Sequence, residues 1–310
     1  MNMVDAARLI ALDWGTSSLR ALLLGDAGAV LAQRSAPLGI MRVPPGGFPD
    51  VFAQIAGDWR RSAPHLPAIA SGMVGSAQGW EEVPYCDGAA GLAEMAGGLR
   101  QVPAGDGGTL HIVPGVSLRQ PRPEVMRGEE TQIFGAMALQ PALCAGARLL
   151  LPGTHSKWVD LSAGRISGFQ TFMTGELFAV LQHHSILGRF ARESGADTPP
   201  DDAAFEQGLA AAQASEKGIA GLLFSARARV LLGAMPASGS LSFLSGLLIG
   251  EELRCALSVP TRRVVLIGEA GLVARYRHAL ACFGVDDTPA IAGAAEAGLW
   301  HIARTAGLVS

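Results

Sequence analysis

Leu9-Ile10-Ala11-Leu12-Asp13-Trp14-Gly15-Thr16-Ser17-Ser18-Leu19-Arg20-Ala21-Leu22-Leu23-Leu24 is the stretch that decides the architecture. An apolar run breaks at an acid, a glycine and three hydroxyls, and then resumes. Gly25-Asp26-Ala27-Gly28 leads to a third run, Ala29-Val30-Leu31-Ala32. Short apolar runs bounded by turn residues read as buried strands. The pattern predicts a hairpin whose first turn carries Asp13, Gly15, Thr16 and Ser17. Gly15 lets backbone N–H groups approach an anion with no Cβ in the way, and Thr16, Ser17 and Ser18 add hydroxyl donors. Asp13 alone is a poor phosphate neighbour, but it is a good holder for a hydrated Mg²⁺. Together these residues describe a site for a metal–triphosphate. A hairpin turn rich in Ser and Thr, with no ligand, is the other reading.

The same residues carry a resemblance. Asp-x-Gly-Thr-x-Ser-x-Arg between two strands resembles the first phosphate motif of the sugar-kinase, actin and heat-shock-ATPase superfamily. Asp13, Gly15, Thr16, Ser18 and Arg20 match it position by position. The P-loop pattern Gly-x4-Gly-Lys-Ser/Thr does not occur in the chain.

Beyond the hairpin, Pro49 to Arg61 reads as a helix with Val51, Phe52, Ile55 and Trp59 on one face. Pro67–Ala70 is a short strand, and Gly72-Met73-Val74-Gly75-Ser76 with Trp80 forms a glycine-rich loop after it. Such loops are where α/β proteins put ligands; a tight turn with a packed Trp80 is the alternative. Leu110–Val113 is another strand. Arg127-Gly128-Glu129-Glu130 then opens a helix. Acids in a first turn are ordinary capping. They also suit a carboxylate general base beside an Arg that binds an anionic substrate.

A second strand–turn–strand, Ala147–Leu151 and Pro152-Gly153-Thr154-His155-Ser156-Lys157-Trp158, repeats the logic of the first hairpin. Thr174 reads as an N-cap. Glu193 to Asp202 reads as a polar loop, and Ala203–Ala214, Leu222–Leu232 and Ser242–Leu257 as helices. Gly246 and Gly250 allow close packing, and Glu251 and Glu252 read as solvated. Arg263–Tyr276 is strand, glycine turn at Gly268, helix.

Apolar residues at 49% and charged residues at 16% make the chain globular, and 310 residues suffice for one large or two ordinary domains. A net charge of −3 with no long basic run argues against nucleic-acid binding. The uncharged stretch Val230–Gly250 is broken by Pro236, Gly and Ser, so it reads as a loop and buried helix rather than a membrane span. The four cysteines are far apart, without metal spacing or a disulfide framework, which suits a reducing cytoplasm. A homodimer is compatible with the sequence, which does not fix oligomeric state.

The motif order resembles the superfamily throughout. The implied fold is α/β, with two actin-like (ribonuclease H-like) lobes and an ATP cleft between them. In that reading residues 1–127 are the N-terminal lobe and 128–310 the C-terminal lobe. At a finer level, Met73–Ser76 with Trp80, Val125–Gln132, Pro152–His155 with Lys157-Trp158, Met173–Leu177 and Ser245–Gly250 resemble the 2-dehydro-3-deoxygalactonokinase family. The resemblance implies ATP-dependent phosphorylation of the 6-hydroxyl of 2-dehydro-3-deoxy-D-galactonate, with ATP, Mg²⁺ and the sugar acid as partners.

It further implies roles for particular residues. Asp13 holds hydrated Mg²⁺. Gly15, Thr16, Ser17, Ser18, Arg20, Gly153, Thr154 and Lys157 hold phosphates, and Gly268 lies at the adenosine. Gly72, Met73, Val74, Gly75, Ser76 and Trp80 shape the sugar site, and Arg127 takes the substrate carboxylate. Glu130 or Glu129 is the base. Glu130 is preferred because Glu129 is the better placed for first-turn capping after Gly128. A kinase for another sugar acid or polyol, or a non-enzymatic actin-like scaffold or sensor, are the alternatives.

Overall fold

The protein is described by a computed structural model, which covers residues 3–190, 200–258, 261 and 263–310. The loop expected over 193–202 lies largely outside these residues. Two compact units divide the chain. Unit 1 comprises Met1–Ala147, Val159–Phe169 and Ile291–Ser310; unit 2 comprises Arg148–Trp158 and Gln170–Ala290.

In unit 1 the opening stretch forms β1 (Leu9–Trp14) and β2 (Leu19–Leu24), followed by β3 (Val30–Ala36) and β4 (Ala68–Ser71). The short β5 (Cys86–Asp87) and β6 (Ala90–Gly91), then β7 (Arg100–Pro103), β8 (Thr109–Ile112), β9 (Val116–Leu118) and β10 (Glu124–Met126) complete its strands up to residue 126. The main sheet has the order β3-β2-β1-β4-β8-β7. β1, β2 and β3 are antiparallel neighbours, whereas β4 joins β1 in parallel and β8 joins β4 in parallel. A three-strand meander extended by parallel strands on its first member is the ribonuclease H-like arrangement.

The apolar runs explain the sheet. Leu9, Ile10, Leu12, Leu22 and Leu23 have no exposed surface, and burying each such side chain stabilises the fold by about 1.5–3 kcal/mol. Helix α1 (Phe48–Ser62) lays Val51, Phe52, Ile55 and Trp59 on the same core, the four residues that the helical period selects.

Unit 2 repeats the plan. β11 (Gly146–Leu151), β12 (Ser156–Ser162), β13 (Arg165–Phe172), β14 (Val265–Ile267) and β15 (Ala290–Ile291) lie in the order β15-β14-β11-β12-β13, with β11 and β14 parallel in register Leu149↔Val265. The ends of β12 and β13 over 159–169 are counted with unit 1, where β6 pairs with β13 at Ile166↔Ala90.

Among the fully described elements, the helices in chain order after α1 are α2 (Leu92–Gly97), α3 (Glu129–Leu139), α4 (Thr174–His184), α5 (Asp202–Gln213), α6 (Ser225–Leu231), α7 (Ser240–Ala256), α8 (Ala270–Cys282) and α9 (Ala294–Thr305). No helix among the described residues is long and apolar enough to cross a membrane. α5 crosses α7 at glycines: a Cβ on Gly208 would lie 2.2 Å from the Phe243 carbonyl, and one on Gly246 2.1 Å from that of Phe205.

A single division at 127/128 does not describe this packing. α3 and α9 press together in unit 1, so that a Cβ on Gly135 would meet the Ala294 carbonyl at 1.7 Å and one on Gly298 the Thr131 carbonyl at 1.9 Å. Bare backbones in contact bind residues 128–147 and 291–310 to the first sheet's unit.

Candidate active site

In unit 1, Asp13 stands near the end of β1, opposite Arg20 on β2 and Ser71 on β4. The turn beyond it is closed by the Gly15 N–H donating to the Ser18 carbonyl at 2.9 Å, and Thr16, Ser17 and Ser18 are exposed. Gly39 supports the turn from beneath, where any Cβ would lie 2.4 Å from the Ser17 backbone. Ile40 N–H donates to the Gly15 carbonyl at 3.0 Å. Arg20 is engaged on both sides. Its Nη1 lies 2.6 Å from Glu296 Oε1 and its Nη2 3.5 Å from Asp13 Oδ2. Burial raises the Asp13 carboxyl pKa, the Arg20 guanidinium opposes that shift, and Glu296 adds to it. Arg20 therefore orients Asp13 in this structure instead of pointing freely from the turn.

Two glycines with positive φ bring the next parts together. Gly72 (φ +97°) follows β4, and a Cβ there would lie 2.8 Å from the Trp14 carbonyl. Gly128 (φ +111°) precedes α3, and a Cβ there would lie 3.3 Å from Gly72 Cα. Only glycine takes such φ values readily. The end of β1, the loop after β4 and the start of α3 thus meet within unit 1.

At that start the two carboxylates separate. Glu130 has no exposed surface, and its oxygens accept the Gly128 N–H at 2.8 and 2.7 Å. Burial, helped by the neighbouring Glu129 charge and opposed by the Gly128 N–H and Arg127, pushes its pKa up to about 7. Glu129 is half-buried, and its Oε2 accepts the Arg127 N–H at 3.1 Å. Both acids thus fold back on backbone N–H groups, so capping does not distinguish them, whereas access does. A base must touch the hydroxyl that it serves, and Glu129 is the one with open surface. Of the two candidate bases, Glu130 is thus sealed within the helix start and Glu129 keeps access.

The raised Glu130 pKa has a stability consequence. Its folded value lies above its ordinary 4.5. The contribution is therefore fully present below about pH 4.5 and is lost as pH rises through about 7. Glu130→Gln removes this titration. Thermal unfolding should show the variant gaining in Tm on wild type at pH 8 relative to pH 5, and an equal offset at both would show that Glu130 titrates normally.

Arg127 is 9% exposed. Its Nη2 donates to the Val83 carbonyl at 2.7 Å, and its guanidinium lies 4.4 Å from the Tyr85 ring centroid. Its Nε and Nη1 are buried with no hydrogen-bond partner among the described residues. Two donors of a planar fork left open in a buried place fit a carboxylate.

The loop after β4 divides. Val74 is in the core with no exposed surface, Gly75 is buried, and the Ser76 hydroxyl donates to the Met73 carbonyl at 2.7 Å. Met73 keeps open surface. Trp80 stacks on Phe48 at 5.9 Å and meets Trp14 edge-on at 6.2 Å. Trp80 packs partly buried against the core of this unit, and Val74 is a core residue.

In unit 2, Gly153 and Thr154 form the turn between β11 and β12, and Thr154 is exposed. The start of α4 holds this turn. Glu176 N–H donates to the Thr154 carbonyl at 2.9 Å, and a Cβ on Gly175 would meet the Gly153 carbonyl at 2.5 Å. His155 Nε2 is hydrogen-bonded to Glu176. Lys157 is 5% exposed and donates to the Thr171 hydroxyl at 2.9 Å.

Gly268 is exposed and neighbours Pro152, with a Cβ–carbonyl approach of 3.5 Å. Glu269 beside it is the N-cap of α8 and accepts the Gly271 and Leu272 N–H groups at 2.9 and 3.0 Å. A cavity of about 170 Å³ opens beside the turn, lined by Gly153, Gly175, Phe178, Leu248, Leu272 and Tyr276 among others.

Two further residues escape the sequence reading. Glu296, which anchors Arg20, signals itself only as an acid in a run of small residues. Glu252, read as solvated, is 1% exposed, and Thr174 gives its hydroxyl to Glu252 instead of capping α4.

By the families and relatives it matches, the chain is a kinase, a phosphotransferase. The chain belongs to the 2-keto-3-deoxy-galactonokinase family, whose model matches residues 13–302. It is 43% identical over 291 residues to "Probable 2-dehydro-3-deoxygalactonokinase DgoK1" of Rhizobium meliloti, covering 92% of each chain. It is 37% identical over 311 residues to the 2-dehydro-3-deoxygalactonokinase of Escherichia coli, covering 96% of this chain and 98% of that one. A crystal structure of a Sinorhizobium meliloti protein given the same kinase name superposes with a TM-score of 0.87 at 40% identity, over 96% of this chain and 98% of that one.

Proposed function

We propose that the chain transfers the γ-phosphoryl group of ATP to the 6-hydroxyl of 2-dehydro-3-deoxy-D-galactonate, giving 2-dehydro-3-deoxy-6-phospho-D-galactonate and ADP. The observation that carries this reading is the family match over 13–302. The four free cysteines suit a reducing cytoplasm.

In-line phosphoryl transfer is catalysed mainly by positioning and charge stabilisation. Asp13 fits a hydrated Mg²⁺: its carboxylate is held by Arg20 beside an exposed hydroxyl turn and keeps open surface. The ion, when bound, would supply charge neutralisation at the phosphates. The Gly15–Ser18 turn and the Gly153–Thr154 turn hold phosphate oxygens by N–H and hydroxyl donors. The apolar cavity beside Gly153 and the Gly268 turn take the adenosine. Arg127 grips the sugar-acid carboxylate with Nε and Nη1. Met73 and Gly72 shape the sugar site, with Trp80 and Val74 packing behind them. Glu129 accepts the hydroxyl proton, and Glu130 beneath it holds the Gly128 turn.

A coupled ADP-release assay over a panel of sugar acids and polyols tests the function. Turnover of 2-dehydro-3-deoxy-D-galactonate well above the rest is expected, and a preference for an uncharged sugar would overturn the substrate.

Arg127→Lys keeps the charge and loses the fork. It should raise KM for the acid by about tenfold or more, since a hydrogen bond to a charged group contributes about 1.5–3 kcal/mol, with kcat little changed. An unchanged KM would assign the carboxylate to another cation. Arg119 is already paired with Asp87 at 2.6 Å.

A further inference from the structure

Glu252 lies near the end of α7 in the core of unit 2. Its Oε1 accepts the Trp158 indole N–H at 2.8 Å, and its Oε2 accepts the Tyr276 hydroxyl at 2.6 Å and the hydroxyl of Thr174. Tyr276 Oη lies a further 3.0 Å from Ser156 Oγ. One carboxylate therefore ties together β12 through Ser156 and Trp158, the first residue of α4, α7 itself, and α8 through Tyr276.

A buried carboxylate is costly unless it is hydrogen-bonded, and a well-packed apolar side chain would hold four elements together at least as stably. What the acid adds is geometry: three donors aimed at two oxygens fix the elements in one register. Two of these elements lead to the exposed turn. β12 begins just after Thr154–His155, and the first turn of α4 carries the Glu176 N–H that bonds Thr154. Thr174 and Tyr276 also line the cavity beside Gly153.

We propose that Glu252 is a positioning residue for nucleotide binding, holding the Gly153–Thr154 turn and the Thr174–Tyr276 wall of the cavity in the one arrangement that accepts ATP. This rests on the reading of unit 2 as the nucleotide-binding part. Glu252 touches no substrate and acts through Thr174, Tyr276 and β12.

The test measures binding of a non-hydrolysable ATP analogue by calorimetry, KM for ATP and for the sugar acid, and Tm, in the full chain. Glu252→Leu and Tyr276→Phe should weaken nucleotide binding by about tenfold or more, because small misplacements of binding groups are amplified in function. KM for the sugar acid should change by less than about twofold. Glu252→Gln should restore ATP affinity to within about threefold. Its carbonyl can accept from Trp158, and its amide can donate to hydroxyls that rotate to receive it.

A lowered Tm with ATP affinity unchanged in Glu252→Leu would overturn the proposal. Should that variant fail to fold, Tyr276→Phe decides by the same readout. A wild-type chain that binds no ATP analogue overturns this inference together with the nucleotide reading. Variants that lose nucleotide while wild type phosphorylates no sugar acid would uphold it and sink only the substrate.

Discussion

Glu129→Gln is expected to lower kcat by about 10²–10⁴-fold, the usual cost of losing a general base. ATP affinity should be unchanged, and so should the fold, because the amide keeps the side chain's size and its acceptor for the Arg127 N–H, now at 3.1 Å. The matched Glu130→Gln should lose far less activity. Glu130 is sealed from solvent and spends both oxygens on the Gly128 N–H. Its effect should appear as a modest change in KM and kcat together through the Gly128 turn. Single-turnover measurements at saturating ATP separate these outcomes. Should Glu130→Gln be the inactive variant and Glu129→Gln active, the base is the buried acid and α3 must open its first turn in the working enzyme. Were neither to change kcat by even about tenfold, proton acceptance would lie outside this helix start.

The second large effect is expected at Asp13. Asp13→Asn should cut turnover by at least about a hundredfold, through loss of metal positioning. The amide still reaches Arg20, and Arg20 remains pinned to Glu296 at 2.6 Å, so Tm should move little. The check is kcat as a function of Mg²⁺ concentration with Tm measured in parallel. Turnover near wild type at saturating Mg²⁺ would remove Asp13 from the mechanism. A large fall in Tm would instead make Asp13 a structural partner of Arg20.

The fold was legible because its signals are local. Apolar runs broken by Asp13–Ser18 and by Pro152–Ser156 announce two hairpins, and the 3.6 period of Val51, Phe52, Ile55 and Trp59 announces α1. Turn glycines were legible for the same reason: Gly72 and Gly128 stand where the chain takes a positive φ or approaches another backbone closely. What a linear reading could not supply was the inward or outward sense of single polar side chains. Lys157, Glu130 and Glu252 look equally solvable in sequence. The partners of Lys157 and Glu252 lie elsewhere in the chain, Thr171 for the one and Trp158 and Tyr276 for the other, whereas Glu130 folds onto Gly128 beside it. The compact units were illegible for a related reason. The α3–α9 contact joins glycines 163 positions apart, Gly135 and Gly298, and neither announces the other.

That contact also bears on how the chain comes to be folded as it is made. Unit 1 includes residues 291–310, and the whole of unit 2 is threaded between them and the strands of its first sheet. During synthesis at about 5–20 residues per second, α3 would leave the ribosome well before α9 exists to cover Gly135 and Thr131. The Glu296 that steadies Arg20, and through it Asp13, arrives later than every other residue of the phosphate turn. The nascent first unit therefore waits for roughly 8–33 s, by that synthesis rate, with one helix face uncovered. Over that interval the α3 surface has no α9 against it, and Arg20 lacks its Glu296 partner until that helix is made.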